Sequence, residues 1–341
     1  MNFGKNNPLL INLALQGGGA HGAFTWGVLD YLLEDGRLEY DGISGTSAGA
    51  MNAVVFANGL LNGGADGARH ALSEFWTAVA KSLPFEVAVR SADGESVSLA
   101  PGLKLMLQWS HYLSPNQLNP LDIDPLRKIV SERIDFERLR RNRKLKLYIA
   151  ATNANTGKLR VFHRHELSVD TILASACLPT MHRAIEIDGE PYWDGGYSAN
   201  PAIFPLFEEC KSRDILMVLL TPLRHKGDPH SAGEIKSRIL EIAFNSTFLR
   251  EMRTFAQLQE YVSRQWFPIG RFERRIAKTH FHVIEAEDII RELPSETKLA
   301  ANKWFFEMLR DCGRERAKAW LDANARNISK RSTVQLTNLF Y

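Results

Sequence analysis

The sequence predicts an α/β fold with a mainly parallel sheet, and three observations predict it. An apolar run at residues 9–15 ends in a glycine turn, and helical periodicity follows over residues 22–34. A second short strand at residues 38–44 is again followed by a glycine turn and a helix of small residues at 48–58. Further buried-strand patterns recur at residues 145–152, 159–163, 214–221 and 280–284, between helical stretches. A β-α-β-α opening of this kind calls for a parallel sheet covered by helices.

Each element has a local reason. In 22–34, Phe24, Val28, Leu29, Leu32 and Leu33 fall on one helical face, and Gly36 stops the run. Residues 62–120 are less regular, with a turn at Asn62-Gly63-Gly64, and this is where an insertion or cap belongs. Asp124-Pro125 is an N-cap followed by a first-turn proline, which starts a helix over 125–131. A helix at 169–176 ends before Pro179, and a hairpin at 184–193 turns at Asp188-Gly189 and delivers Asp194. Long helices are expected at 231–262 and 296–325. Strands lie on both sides of residue 194, so residues 208–326 complete the domain begun at 9–207, and 327–341 reads as a tail or docking segment.

Composition narrows the function classes. The 341 residues are 45% hydrophobic and 24% charged, ordinary for a globular protein. A net charge of +3 gives no support for nucleic acid as a partner, and the basic run at 138–144 reads as a solvated helix end. Cys177, Cys210 and Cys312 have no metal-ligand spacing and suit a reducing compartment, so a cytoplasmic location is expected. The histidines, including His163, His165 and His182, show no ligand spacing, and no metal or organic cofactor is expected.

Three glycine motifs carry the chemistry. Gly45-Thr46-Ser47-Ala48-Gly49 has the G-x-S-x-G form of a nucleophile elbow, in which a strained strand-to-helix turn holds the serine clear of the backbone. The plainer reading of Ser47 is a helix N-cap. Gly17-Gly18-Gly19-Ala20-His21-Gly22 fits a dinucleotide fingerprint, which also wants an acid at the end of the second strand; the nearest, Asp41, falls short of it. The same loop fits an oxyanion hole better, because loops after adjacent parallel strands lie side by side. The N–H groups of Gly18, Gly19 and Ala48 would then face a carbonyl attacked by Ser47.

A base is also required. His280 and His282 follow a suitable strand, but the elbow comes too early in the chain for the usual Ser–His arrangement of α/β-hydrolases. The remaining candidate is Asp194, in Asp194-Gly195-Gly196. A free aspartate has a pKa of about 3.9, and burial beside Tyr192 and Trp193 would raise it into a useful range.

Together, and in this order, the three motifs resemble the patatin-like phospholipase family, over roughly residues 9–207. The resemblance extends to Ala151-Thr152-Asn153, Thr156-Gly157, Ala174-Ser175-Ala176-Cys177-Leu178-Pro179 and Asn200-Pro201. It implies a three-layer α/β/α sandwich and a Ser–Asp dyad without histidine. Ser47 would be the nucleophile, Asp194 the general base and loop 17–22 the oxyanion hole, with Gly22, Gly45, Gly49, Gly195 and Gly196 as motif glycines. The implied activity is hydrolysis of lipid carboxylic esters, with a lipid or ester substrate and peripheral membrane contact. One departure is His21, where many members carry arginine or lysine. The alternatives are a dinucleotide-binding Rossmann-like protein that uses Gly17 to Gly22 and a non-catalytic interaction module. Residues 102–113, apolar around most of a helix, are expected to form core or the wall of an acyl-chain site.

Overall fold

A computed structural model describes residues 8–82, 88–90, 97–100, 114–121, 123–224, 227–264, 270–290 and 293–341. The apolar stretch 102–113 lies outside the described residues. The strands are β1 (Leu9–Leu15), β2 (Leu38–Gly45), β3 (Ala88–Arg90), β4 (Val97–Leu99), β5 (Lys146–Asn153), β6 (Leu159–His163), β7 (Ile185–Ile187), β8 (Glu190–Asp194), β9 (Asp214–Leu219) and β10 (His280–Glu285). The principal helices are α1 (Gly22–Asp35), α2 (Ala48–Lys81), α3 (Pro125–Arg133), α4 (Phe136–Arg141), α5 (Val169–Ser175), α6 (Phe204–Glu209), α7 (Ala232–Ser263), α8 (Arg271–Ala277) and α9 (Lys303–Asn324).

One mixed sheet runs β10-β9-β1-β2-β5, all parallel, and continues through the antiparallel strands β8 and β7, with β6 also antiparallel on β5. β3 and β4 form a separate two-stranded ribbon. Alternate residues of the buried strands serve opposite layers. Leu13, Leu15, Leu216 and Val218 join the core under α1, α2 and α9, whereas Ala14, Ile215, Met217 and Leu219 face α6, α7 and the C-terminal helix Leu336–Phe340. Both faces are therefore covered. No helix among the described residues is long and apolar enough to cross a membrane.

Two elements differ from the sequence expectation. The helix after the elbow does not end near residue 58 but continues to Lys81. Gly63 and Gly64 do leave helical dihedrals, Gly64 with φ 62°, but the chain resumes the helix on the other side of the kink. The helix expected over 296–325 is instead a 3₁₀ turn, Ser295–Leu299, followed by α9. Asn302 starts the second piece, its side chain accepting the Trp304 N–H at 3.1 Å. The final segment is docked on the domain, with Ile328, Leu336 and Phe340 buried.

Residue Asp214, at the start of β9, ties this segment down. Its Oδ1 is 3.0 Å from His282 Nε2, 3.3 Å from His280 Nδ1 and 2.8 Å from the Ser329 N–H. Burial alone would raise its pKa, but the His282 and Ser329 hydrogen bonds and the charge of both histidines hold it below the ordinary carboxylate value. Stability from this group is thus present above about pH 4 and lost as pH falls through the folded value. Asp214→Ala should cost about 3 kcal/mol, read as a lowered denaturant midpoint with little change in slope. A midpoint equal to that of the wild type would remove this knot from the account of the fold.

Candidate active site

The strand ends assemble the site. β1 pairs with β2 so that Leu15 lies opposite Gly45, and the glycine loop and the elbow leave the sheet side by side. β5 extends further. Its residues Ala151 and Thr152 pair with β6 on one edge and with Asp194 and Trp193 of β8 on the other. That other edge is the one used by β2 at Gly42 to Gly45. β2 and β8 therefore run toward each other along one edge of β5, with Gly45 opposite Ile149 and Asp194 opposite Ala151. Two residues along a strand span about 7 Å, so the chain ends bearing Ser47 and Asp194 are brought face to face.

The elbow is strained as its sequence predicts. Ser47 has φ 54° and ψ −121°, in the region disfavoured for residues with a side chain. It occupies the N-cap position of α2, but its side chain makes no capping hydrogen bond to the helix. The turn is held from outside: the Ser47 N–H donates to Ser175 Oγ at 2.9 Å, and Thr46 Oγ1 donates to the Ala199 carbonyl at 2.8 Å. Close approach explains Gly49, where a Cβ would lie 2.1 Å from the Leu15 carbonyl oxygen.

The residue Asp194 is almost wholly buried, with 1% of its surface exposed. Burial raises its pKa from the ordinary 3.8 to about 7, opposed by the Gly196 N–H and by interaction with the Ser47 side chain. The Gly196 N–H donates to Oδ1 at 2.7 Å, and the Asp194 N–H donates to the Cys177 carbonyl at 2.8 Å. Thr152 Oγ1 donates to the Asp194 carbonyl at 2.8 Å, fixing the strand end. The carboxyl thus has a fixed position and a proton affinity raised toward neutrality.

Loop 17–22 lies against the elbow, since a Cβ on Gly17 would meet Ser47 Cβ at 2.8 Å. Asn200 Oδ1 accepts the Gly17 N–H at 2.7 Å, while Gln16 Oε1 accepts the Leu220 and Thr221 N–H groups at 2.6 and 2.8 Å. The N–H groups of Gly18, Gly19 and Ala48 find no acceptor among the described residues. Three donors are therefore uncommitted, two in the loop that lies against the elbow and one at the start of α2. Asp41, the acid a dinucleotide would need, sits four residues before the end of β2 and accepts the Ser212 N–H at 3.0 Å and Lys146 Nζ at 3.2 Å.

Among the residues behind the site, the sequence signals are uneven. Ser175 and Asn200 lie in motifs that the resemblance includes, but their contacts with Ser47 and Gly17 depend on long-range packing. Gln16 is a polar residue closing an apolar strand, which is a readable signal. Thr297 has none. His280 and His282 belong to the Asp214 knot at the start of β9, toward the opposite edge of the sheet from the elbow.

The family model for patatin-like phospholipase matches residues 13–207, more than half of the chain. The chain belongs to the patatin-like phospholipase family. No curated protein matches it. Among solved structures it is similar to VipD from Legionella pneumophila, at 15% identity and a TM-score of 0.45, covering 98% of this chain and 73% of that one. It is also similar to the ExoU–SpcU complex from Pseudomonas aeruginosa, at 15% identity and a TM-score of 0.40, covering 93% of this chain and 52% of that one.

In this patatin-like chain the histidine of the glycine loop is a buried strut. His21 Nε2 is 2.8 Å from Thr297 Oγ1, and the Thr297 hydroxyl itself donates to the Pro294 carbonyl at 2.6 Å. The threonine oxygen is therefore the acceptor, and Nε2 carries the proton. Nδ1 has no partner. Burial, helped by the Lys298 charge, lowers the His21 pKa to about 3, so the ring is neutral. The same turn presses the Lys298 carbonyl against Gly19, which has φ +57° and where a Cβ would lie 2.3 Å away. Thr297→Val should slow fluorophosphonate labelling of Ser47 by about tenfold, because the loop donors lose their alignment. An unchanged labelling rate would leave the brace with no part in aligning the loop.

Proposed function

We propose that this protein is a serine acyl hydrolase that cleaves carboxylic ester bonds of lipids through a Ser47–Asp194 dyad. The observation that carries the reading is the end-to-end meeting of β2 and β8. It sets a strained serine whose side chain does not cap its helix against a buried carboxyl raised to about pKa 7. Membership of the patatin-like phospholipase family supports lipid esters as the substrate class.

The reaction follows from the atoms present. Ionised Asp194 takes the proton from Ser47 Oγ as Oγ attacks the ester carbonyl. The carbonyl oxygen gains negative charge opposite the N–H groups of Gly18, Gly19 and Ala48, each such donor being worth roughly 3 kcal/mol in the transition state. As the carbon–oxygen bond to the leaving alcohol breaks, protonated Asp194 returns its proton to that oxygen. Asp194 then takes a proton from water as the water oxygen attacks the acyl-serine, and it passes that proton to Ser47 Oγ as the carbon–Oγ bond breaks and the acid leaves, which restores both groups. The N-terminus of α2 under Ser47 favours the same negative charge. The reaction is expected at the cytoplasmic face of a membrane or on dispersed lipid, without a cofactor.

Ser47→Ala and Asp194→Asn should each lower ester hydrolysis by at least about a thousandfold, since nucleophile and base act as a unit. Full activity in either purified, folded variant would overturn the dyad. The pH profile gives a second check. kcat/KM should rise with pH and level off above about 7, as Asp194 ionises. Stability should move the opposite way. For a carboxyl with a raised pKa the stabilising contribution is full below about 3.8 and falls from there until it is gone above about 7. Asp194→Asn escapes that loss, so at pH 8 it should melt several degrees higher than the wild type while being inactive. A variant no more stable at pH 8 than the wild type would mean that Asp194 is not held protonated by burial.

A further inference from the structure

The helix α7 changes character along its length. Its inward side is apolar throughout the packed part, with Phe248, Met252, Phe255 and Ala256 buried. From residue 250 onward the outward side is mainly polar, with Arg250, Arg253, Thr254, Gln257 and Glu260 exposed and Tyr261 the one large apolar exception. In the first three turns the outward side is instead Ile235, Ile239 and Ile242, exposed to 43%, 60% and 60%, with Leu240 beside them at 47%. The spacing i, i+4, i+7 makes these three isoleucines one stripe. A helix that patterns its outward face correctly over its second half and reverses it over its first has an apolar ridge standing in water.

Around the ridge, over residues 232–250, the basic side chains Lys236, Arg238 and Arg250 stand against the acidic Glu234 and Glu241. Glu234 is engaged at the helix start, accepting N–H groups from His230 and Ser231 at 2.9 and 3.1 Å. Glu241 pairs with Arg238 at 3.8 Å and with Lys298 at 3.7 Å. Lys236 and Arg250 form no ion pair among the described residues. The helix as a whole is neutral, but the cations Lys236 and Arg250 that border the apolar stripe are unpaired among those residues, and apolar side chains bordered by such cations fit an anionic lipid surface. A second copy of the chain fits less well. The stripe runs only about 11 Å along the helix, far less than a stable interface of about 800 Å² per partner requires.

The ridge is joined to the site. Leu240 lies one turn before Phe244, whose ring sits 4.5 Å from that of Tyr197 and fills the space a Cβ on Gly196 would take. Asn245, on the next residue, accepts the Gln16 amide at 3.1 Å. Glu241 holds Lys298, whose carbonyl rests on Gly19. One helix therefore touches the turns on both sides of Ser47.

We propose that Ile235, Ile239, Leu240 and Ile242, with Lys236 and Arg250, form a membrane-docking ridge that inserts into the anionic interface of a bilayer and sets the Ser47–Asp194 site at its surface. The proposal rests on the lipid acyl hydrolase reading for its purpose, and its test is separable from that reading. The probes are vesicles of phosphatidylcholine with about 30 mol% phosphatidylglycerol, vesicles of phosphatidylcholine alone, and a water-soluble short-chain ester. Wild-type protein should cosediment with the mixed vesicles more strongly than with the neutral ones. The double variant Ile239→Asn, Ile242→Asn should lose about tenfold or more of that binding and a similar factor in vesicle-lipid hydrolysis, because two apolar insertions are removed. Its rate on the soluble ester should match the wild type, which also shows that it is folded. Lys236→Gln with Arg250→Gln should erase the preference for the anionic vesicles.

Equal vesicle binding by the isoleucine variant and the wild type would overturn the ridge. So would a wild-type dimer in gel filtration that the same substitutions dissociate, since the face would then belong to a second copy. Ser47→Ala must retain vesicle binding. If no ester is hydrolysed by the wild type but vesicle binding still depends on Ile239 and Ile242, the ridge stands and the enzymatic reading falls.

Discussion

Two strands share one edge of β5, and the site depends on that sharing. β2 arrives parallel and must leave the sheet at Gly45; β8 arrives antiparallel from the other end and must leave at Asp194. Neither can continue, because the other occupies the hydrogen-bonding positions ahead of it. Each chain reversal is therefore forced at the point where the two strands meet, and each reversal carries one polar side chain. Ser47 turns off into α2 with positive φ, and Asp194 turns off into the 3₁₀ turn Gly195–Tyr197. The geometry of the pair is a property of the sheet rather than of either loop.

That geometry has an energetic cost that the neighbourhood partly offsets. A carboxylate with 1% exposure has lost its water, and the Gly196 N–H supplies one replacement hydrogen bond. The remaining penalty appears as a proton affinity near neutrality instead of as an unfolded loop. The strain at Ser47 is contained in the same manner, by Ser175 Oγ on its N–H and by the Thr46 hydroxyl on Ala199. Both anchoring groups come from segments far along the chain, so the elbow is secured only once the whole sheet has formed.

Much of this was legible in the amino-acid sequence, for physical reasons that can be named. β1, β2 and β9 are short apolar runs bounded by turns, and the hairpin ending at Asp194 announces itself through Asp188-Gly189. The glycine motifs are readable because close backbone approach admits no other residue, as at Gly49 beneath Leu15. The misreadings have equally local causes. Gly63-Gly64 does break helical geometry, and nothing nearby shows that the helix resumes to Lys81. Residues 295–325 are helix-forming nearly throughout, and the interruption before Asn302 follows from Thr297 and Lys298 being recruited to the glycine loop. Partner choice in the sheet, above all β8 taking up the edge that β2 vacates, is decided by long-range packing and leaves no periodic trace.

The bracing of the glycine loop also sets how large the working unit is. The family signature stops at residue 207, after both Ser47 and Asp194 have been supplied. Yet β9 and β10 flank β1 on its outer side, Leu220 and Thr221 hold Gln16, and the turn at 295–299 bears on His21 and Gly19. The part of the chain after residue 207 is thus a scaffold clamped onto β1 and the glycine loop, and the smallest autonomous module is longer than its own signature. Transplanting the Ser47–Asp194 arrangement to another scaffold would mean moving a clamp along with the two strand ends.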